Sequence, residues 1–158
     1  MNNSDNIKVF HNPVSFLASC FGVGLSPIAP GTMGSLFGML FFYLTLDIGY
    51  VLQTLIFFTL IFLGSWICGE SAKLLNYHDH SSIVWDEMSI MYGVLLFADS
   101  SLLDWAILFI LFRLFDIWKP WPINYVDKKI GGGIGIMLDD FLAGTAAIII
   151  FQFSRLIF

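Results

Sequence analysis

The chain has 158 residues, of which 58% are hydrophobic, 17% aromatic and only 12% charged, with a net charge of −5 and a mean hydropathy of +0.82. Soluble domains carry about 45–50% apolar and about 25% charged residues, so the composition predicts an all-α, polytopic helical bundle with a bilayer as its solvent. The acidic balance excludes a nucleic-acid partner, which needs a basic face; the seven basic residues (Lys8, Lys73, Arg113, Lys119, Lys128, Lys129 and Arg155) are scattered.

Residues 1–12, MNNSDNIKVFHN, form a polar N-terminal segment, and no short apolar region with a cleavage site follows, so no cleavable signal peptide is expected. One membrane-embedded domain is expected over residues 13–158. No Asp, Glu, Lys or Arg occurs from Val9 to Leu46, but Pro27, Pro30 and Gly31 interrupt that stretch. A first spanning helix is therefore expected from Thr32 or Met33 to about Leu46. After a turn at Asp47 and Gly49, the uncharged run Ile48 to Gly69 is long enough for a second span, which makes a helical hairpin. Residues 70–87, ESAKLLNYHDHSSIVWDE, read as a polar loop. Met88 to Ala98 and Leu102 to Leu114 are each short for a span, so a re-entrant or tilted hairpin inside the bundle is expected. Residues 115–138 read as a second polar loop rich in Gly and Pro, and a last helix is expected from Asp139 or Asp140 to the C-terminus. Cys20 and Cys68 have no metal-ligand spacing and read as buried, inert thiols.

The bias of Lys and Arg toward the cytoplasm places Lys8, Lys73, Lys119, Lys128 and Lys129 inside, and the turns at Asp47 and at residues 99–104 outside. The segments 27–35, 70–87 and 115–140 then share one face. They bring with them Asp86, Glu87, Asp116, Asp139 and Asp140, all at ends of apolar runs. A charge at a helix centre costs about 2.5–3.5 kcal/mol on insertion scales, so the Asp139–Asp140 pair belongs at the interface. One aspartate suffices to cap a helix start; two adjacent ones exceed that role. Oxygen-only clusters of this kind suit a hard cation such as Mg²⁺, which keeps waters for phosphate oxygens.

In RLFDIWKPWP, residues 113–122, Arg113 and Asp116 share a helix face, and Pro120 ends that helix with Lys119 in the exit turn. Lys119 reads either as a snorkelling side chain beside Trp118 and Trp121 or as a phosphate ligand. The run Gly131-Gly132-Gly133-Ile134-Gly135 could admit a phosphate to backbone N–H groups, although no Walker lysine follows it. Gly38 reads as a packing residue, while Thr32 and Ser35 fit either packing or binding. His78 and His80 bracket Asp79 without zinc spacing; a hydrogen-bonded loop is the plainer reading, with His80 a candidate proton donor. No Cys-x5-Arg loop and no Asp-x-Asp-x-Thr or Pro-Ser-Gly-His segment is present, so any phosphate chemistry rests on metal and carboxylates.

Four stretches, GLSPIAPGTMGSL (24–36), HDHSSIVWDE (78–87), RLFDIWKPWP (113–122) and GGGIGIMLDD (131–140), together resemble the bacterial phosphatidylglycerophosphatase A family in order and spacing, over most of the chain from about Pro13. The family usually shows a glycine a few residues after Trp-Asp-Glu, where this chain has Met88, Ser89, Ile90 and Met91. The resemblance implies a Mg²⁺-dependent, multi-pass enzyme of the bacterial inner membrane, its site facing the cytoplasm. Its substrate would be the phospholipid phosphatidylglycerophosphate, cleaved to phosphatidylglycerol and phosphate on the way to cardiolipin. On that reading Asp86, Glu87, Asp139 and Asp140 hold metal, and Lys119 with Arg113, Thr32, Ser35 and Gly132 binds substrate. Asp86, Asp116, Lys119 and His80 take part in catalysis, Asp116 by completing the metal site or orienting water and His80 by protonating the leaving oxygen. Two rival classes are a small transporter and a catalytically silent protein that binds anionic lipid.

Overall fold

Apolar residues on every side of a short segment require that it be enclosed, and Trp85–Leu95 meets that condition: all of its side chains except Glu87 are buried. The computed structural model describes residues 9–76, 80–99 and 101–157. Among these the regular elements are all helical: α1 (Pro13–Ala18), α2 (Pro30–Leu44), α3 (Tyr50–Leu75), α4 (Trp85–Leu95), α5 (Leu102–Trp118), α6 (Ile123–Lys129) and α7 (Gly132–Ile157), with 3₁₀ turns at Val23–Leu25 and Leu46–Ile48. Helix α4 is the central one, with α2, α3, α5 and α7 packed around it.

The direction of each neighbour follows from particular contacts. Helix α2 runs parallel to α4, since Gly38 lies on the Met88 carbonyl and the Phe42 ring sits 5.3 Å from that of Tyr92. A side chain at Gly38 would collide with that backbone, so the small residue sets the helix separation. Close packing at Met88, where the sequence departs from the pattern it resembles, is thus supplied by α2. Helix α3 returns antiparallel, with the Trp85 indole donating to the Leu60 carbonyl at 3.1 Å. The α2–α3 hairpin is tied by Gln53, which donates to the Thr45 carbonyl at 3.0 Å. Helix α7 runs parallel to α4, with Gly144 against Ile90 and Val94 and the Gln152 amide donating to the Phe97 carbonyl at 2.9 Å.

The bundle therefore has two ends. At one lie the turn at Leu46–Ile48, Asp99 and the ion pair of Arg155 with Asp99. At the other lie the start of α2, the ends of α3 and α5, the start of α4, and α6. The three polar segments meet as expected. Helices α3 and α7, 26 residues each, are long and apolar enough to cross a membrane; α2 is apolar but shorter. Helix α4, about 16 Å long, is the expected short helix inside the bundle. Tyr43 and Tyr50 are exposed toward the first end, Trp66, Trp118, Trp121 and Tyr125 toward the second. Tyr50 and Trp66, 16 positions apart on α3, are separated by about 24 Å.

Several boundaries differ from the sequence reading: α4 starts at Trp85 rather than Met88, α5 continues past Leu114 to Trp118, and α6 forms inside the expected 115–138 loop. Helix α3 continues through Glu70 and Lys73, which pair at 2.6 Å on its exposed face while Ser71 and Ala72 are buried on the other. It stops only at Asn76, in the left-handed region at φ 59°. The glycine-rich loop is likewise absent: α7 starts at Gly132 (φ 74°), and Gly133 lies directly on the Ser65 carbonyl of α3, where no larger residue fits. The expected first span, α2, begins at Pro30, whose fixed φ suits an opening turn, two residues before the expected start. Cys20 and Cys68 are both buried and free, and burial pushes the Cys20 thiol pKa up, which fits an inert role. Lys8, His78, Asp79 and Ser100 lie outside the described residues.

Candidate active site

Four helices converge on a small acidic cavity of about 40 Å³. Asp86 and Glu87 reach it from the first turn of α4, Asp116 and Lys119 from the end of α5, Asp127 from α6, and Asp139 and Asp140 from α7. Because α7 starts at Gly132, the aspartate pair lies two turns inside the helix, which removes the N-cap reading. Their burial is nearly complete, at 6% and 3% exposure.

The pair also divides. Asp140 joins Asp86 and Glu87, and one carboxylate oxygen from each lies within 4.8 Å of the others. Asp86 Oδ1, Glu87 Oε2 and Asp140 Oδ2 are buried without a hydrogen-bond partner among the described residues. Burying three such groups side by side carries a desolvation cost of several kcal/mol per ion and mutual repulsion as well. A hard divalent cation, which takes carboxylate oxygens, removes both, so the donor set fits a Mg²⁺-like ion. Asp139 faces Lys119 instead.

Lys119 occupies the left-handed cap of α5 (φ 43°), ahead of Pro120, and this turn carries its side chain inward rather than out to the exposed Trp118 and Trp121. Its Nζ donates to Asp139 Oδ2 and to Asp127 Oδ1, each at 2.6 Å. Burial disfavours the ammonium, but the two paired carboxylates outweigh it and raise the pKa, so Lys119 stays charged. Asp127 escaped the sequence reading; in VDKK it looks like one charge in a solvated run, and only the fold-back of α6 brings it to Lys119.

Arg113 Nη1 pairs with Asp116 Oδ2 at 2.7 Å and lies 3.8 Å from Glu87 Oε1. Behind it, Ser35 donates to the Gly31 carbonyl at 3.0 Å and accepts a long bond from Arg113 at 3.4 Å. Thr32 lines a separate cleft of about 380 Å³, together with Gly31, Glu87 and Arg113. His80 is buried in the turn before α4, its Nδ1 bonded to Ser82 Oγ at 2.8 Å, and it does not line the acidic cavity. Gly132 sits exposed at the start of α7, also off the cavity wall. Asp47, Asp99 and Asp104 belong to the opposite end, so among the described residues no chain of charges links the two faces as a transport path would need.

Six carboxylates and Lys119, with Arg113 behind them, are equipped to hold a cation and a phosphoryl group together. No solved structure matches the chain. The family model described as Phosphatidylglycerophosphatase A matches residues 16–155. A protein of Escherichia coli (strain K12) named Phosphatidylglycerophosphatase A is 45% identical over 85% of this chain and 78% of its own. One of that name from Haemophilus influenzae is 45% identical over 88% of this chain and 86% of its own. A protein of Bacteroides thetaiotaomicron, provisionally named a phosphatidylinositol-3-phosphatase, is 34% identical over 85% of this chain and 89% of its own. With the family match running nearly end to end, and the carboxylates and Lys119 inside it, the chain belongs to the phosphatidylglycerophosphatase A family.

Proposed function

We propose that this chain removes the terminal phosphate of phosphatidylglycerophosphate, with Mg²⁺ bound by Asp86, Glu87 and Asp140. The observation that carries this reading is the three-carboxylate cluster, with Asp86 and Asp140 buried and Glu87 half-buried, beside a charged lysine in a chain of this family. A bound divalent cation supplies charge neutralisation at the phosphate oxygens and activation of water for attack. Lys119, fixed by Asp127 and Asp139, contacts a non-bridging phosphate oxygen as negative charge redistributes there. Asp116, held on one side by Arg113, orients the attacking water in line with the leaving glycerol oxygen. Water adds to phosphorus, the ester P–O bond breaks, and the glycerol oxygen leaves as an alcohol after taking a proton from water. His80, bonded to Ser82, steadies the turn into α4.

We further assign the chain to the bacterial inner membrane, multi-pass, with the acidic end toward the cytoplasm. Lys73, Lys119, Lys128 and Lys129 all lie at that end, and the aromatic residues flank an apolar belt close to a hydrocarbon core in height. The synthesis of phosphatidylglycerol and cardiolipin is the setting that this activity implies.

Purified protein in detergent is expected to release phosphate from phosphatidylglycerophosphate with Mg²⁺ and to lose that activity in EDTA. Release that persists after chelation would remove the metal from the proposal. Phosphatidylinositol 3-phosphate as a parallel substrate decides which headgroup is preferred; preference for the inositol lipid would reassign the substrate while keeping the chemistry. Asp127→Asn is expected to lower kcat/KM by about tenfold, within the range for residues that orient a site's ligands. Asp127→Glu should restore part of it, and equal losses in both variants would argue against a positioning role.

A further inference from the structure

The acidic cavity is closed on one side and open on another. Asp86 and Asp140 are almost fully buried, while Lys119 and Asp127 keep 24% and 32% of their side chains exposed. A ligand therefore enters past Lys119. Directly after Lys119, the segment Pro120–Ile123 roofs a groove of about 330 Å³ between α5 and α7, walled by Phe115, Leu142, Ala146 and Ile150. From Leu142 to Ile150 it runs along α7 for about 12 Å, away from the cavity and toward the Asp99–Arg155 end. Its hydroxyl, Thr145 Oγ1, already donates to the Phe141 carbonyl at 2.8 Å, so the groove asks for an apolar occupant.

We propose that this groove holds an acyl chain of the lipid whose phosphate enters the acidic cavity. The inference rests on the lipid phosphatase reading above. It selects this groove over the neighbouring one between α3, α4 and α7, whose lining residues Ile90 and Phe141 follow the buried Asp86 and Asp140 rather than the partly exposed Lys119. Leu142 is three residues beyond Asp139, one helical turn, so a chain seated there leaves its headgroup at the level of Lys119.

The test compares kcat/KM on diacyl phosphatidylglycerophosphate in mixed micelles with kcat/KM on its deacylated, water-soluble headgroup. Ala146→Trp fills the groove, and Ile150→Trp obstructs it from a position already 44% exposed, where a larger side chain need not disturb the core. In both, the ratio of diacyl to deacylated kcat/KM is expected to fall by about tenfold or more. Ile148→Trp, in the neighbouring groove, is expected to hold that ratio within about twofold. An unchanged ratio in the first two variants, or a fall in Ile148→Trp alone, overturns the assignment. Failure of the phosphatase reading looks different: wild-type protein releases no phosphate from either substrate. Photo-cross-linking then still judges the groove, using phosphatidylglycerophosphate with a diazirine in one acyl chain. Labels on residues 115–123, Leu142, Ala146 or Ile150 that unlabelled lipid competes away support the proposal, and competed labels on Gly144 or Ile148 alone overturn it. Uncompeted labels spread over the exposed apolar faces overturn it.

Discussion

Asp140→Asn is expected to lower phosphate release by at least about 10²-fold, since even residues that merely orient metal ligands account for about 10–100-fold in affinity or activity. The protein should still fold and insert. Asp140 is one of three carboxylates, two buried and Glu87 half-buried, whose oxygens crowd within 4.8 Å, so replacing one by a neutral amide of the same shape relieves repulsion in the metal-free protein. A thermal melt separates the two effects. Without metal, the variant is expected to melt at or above the wild-type temperature. With Mg²⁺, the wild type gains stability by mass action and the variant gains little. Full activity in Asp140→Asn would remove this residue from the site. A lowered metal-free melting temperature would mean that the carboxylate stabilises the fold rather than awaiting a cation.

Lys119→Met is expected to act in the opposite direction on stability. It leaves Asp127 and Asp139 facing one another without the cation that each meets at 2.6 Å. Because Lys119 is 24% exposed, water screens part of the loss, and we expect a destabilisation of about 1–3 kcal/mol, below the range for a fully buried pair. Activity should fall by about 10²–10³-fold, as for loss of one donor that stabilises transition-state charge. The double variant Lys119→Met/Asp127→Asn removes one of the stranded charges and is expected to regain part of the stability but none of the activity. Activity that returns with stability would show that Lys119 only holds the cavity together. A wild-type kcat in Lys119→Met, with only KM raised, would instead place its contribution in binding shared by ground and transition states.

Much of the bundle was legible because its causes are local. Twenty or so apolar residues without charge make a long helix in a bilayer wherever they occur, and all of the run Ile48 to Gly69 beyond Gly49 lies within one. Pro120 ends α5 through its missing N–H and ring clash, which leaves Lys119 in a turn whatever surrounds it. The four motifs carried the family likeness by their order alone. The boundaries failed where a neighbour overrules a local preference. Glycines 132, 133 and 135 read as a loop by propensity, yet they open a helix because α3 passes so close that only hydrogen fits at Gly133. Glu70 and Lys73 read as part of a polar loop, yet the helix continues through them because its opposite face is buried.

The sequence by itself determined that this protein is an apolar helical bundle with carboxylates gathered at one end, because hydrophobicity, proline stops and charge placement act through the chain's own residues. Only the tertiary structure decided how those carboxylates divide. Successive helical residues point about 100° apart, so α7 can turn Asp140 to Asp86 and Glu87 while Asp139 meets Lys119, a partition that adjacency in sequence cannot reveal. Asp127 and Ser35 acquire their partners, Lys119 and Arg113, only when α6 folds back and α2 lies beside α5, since these contacts join residues whose separation along the chain carries no periodic signal.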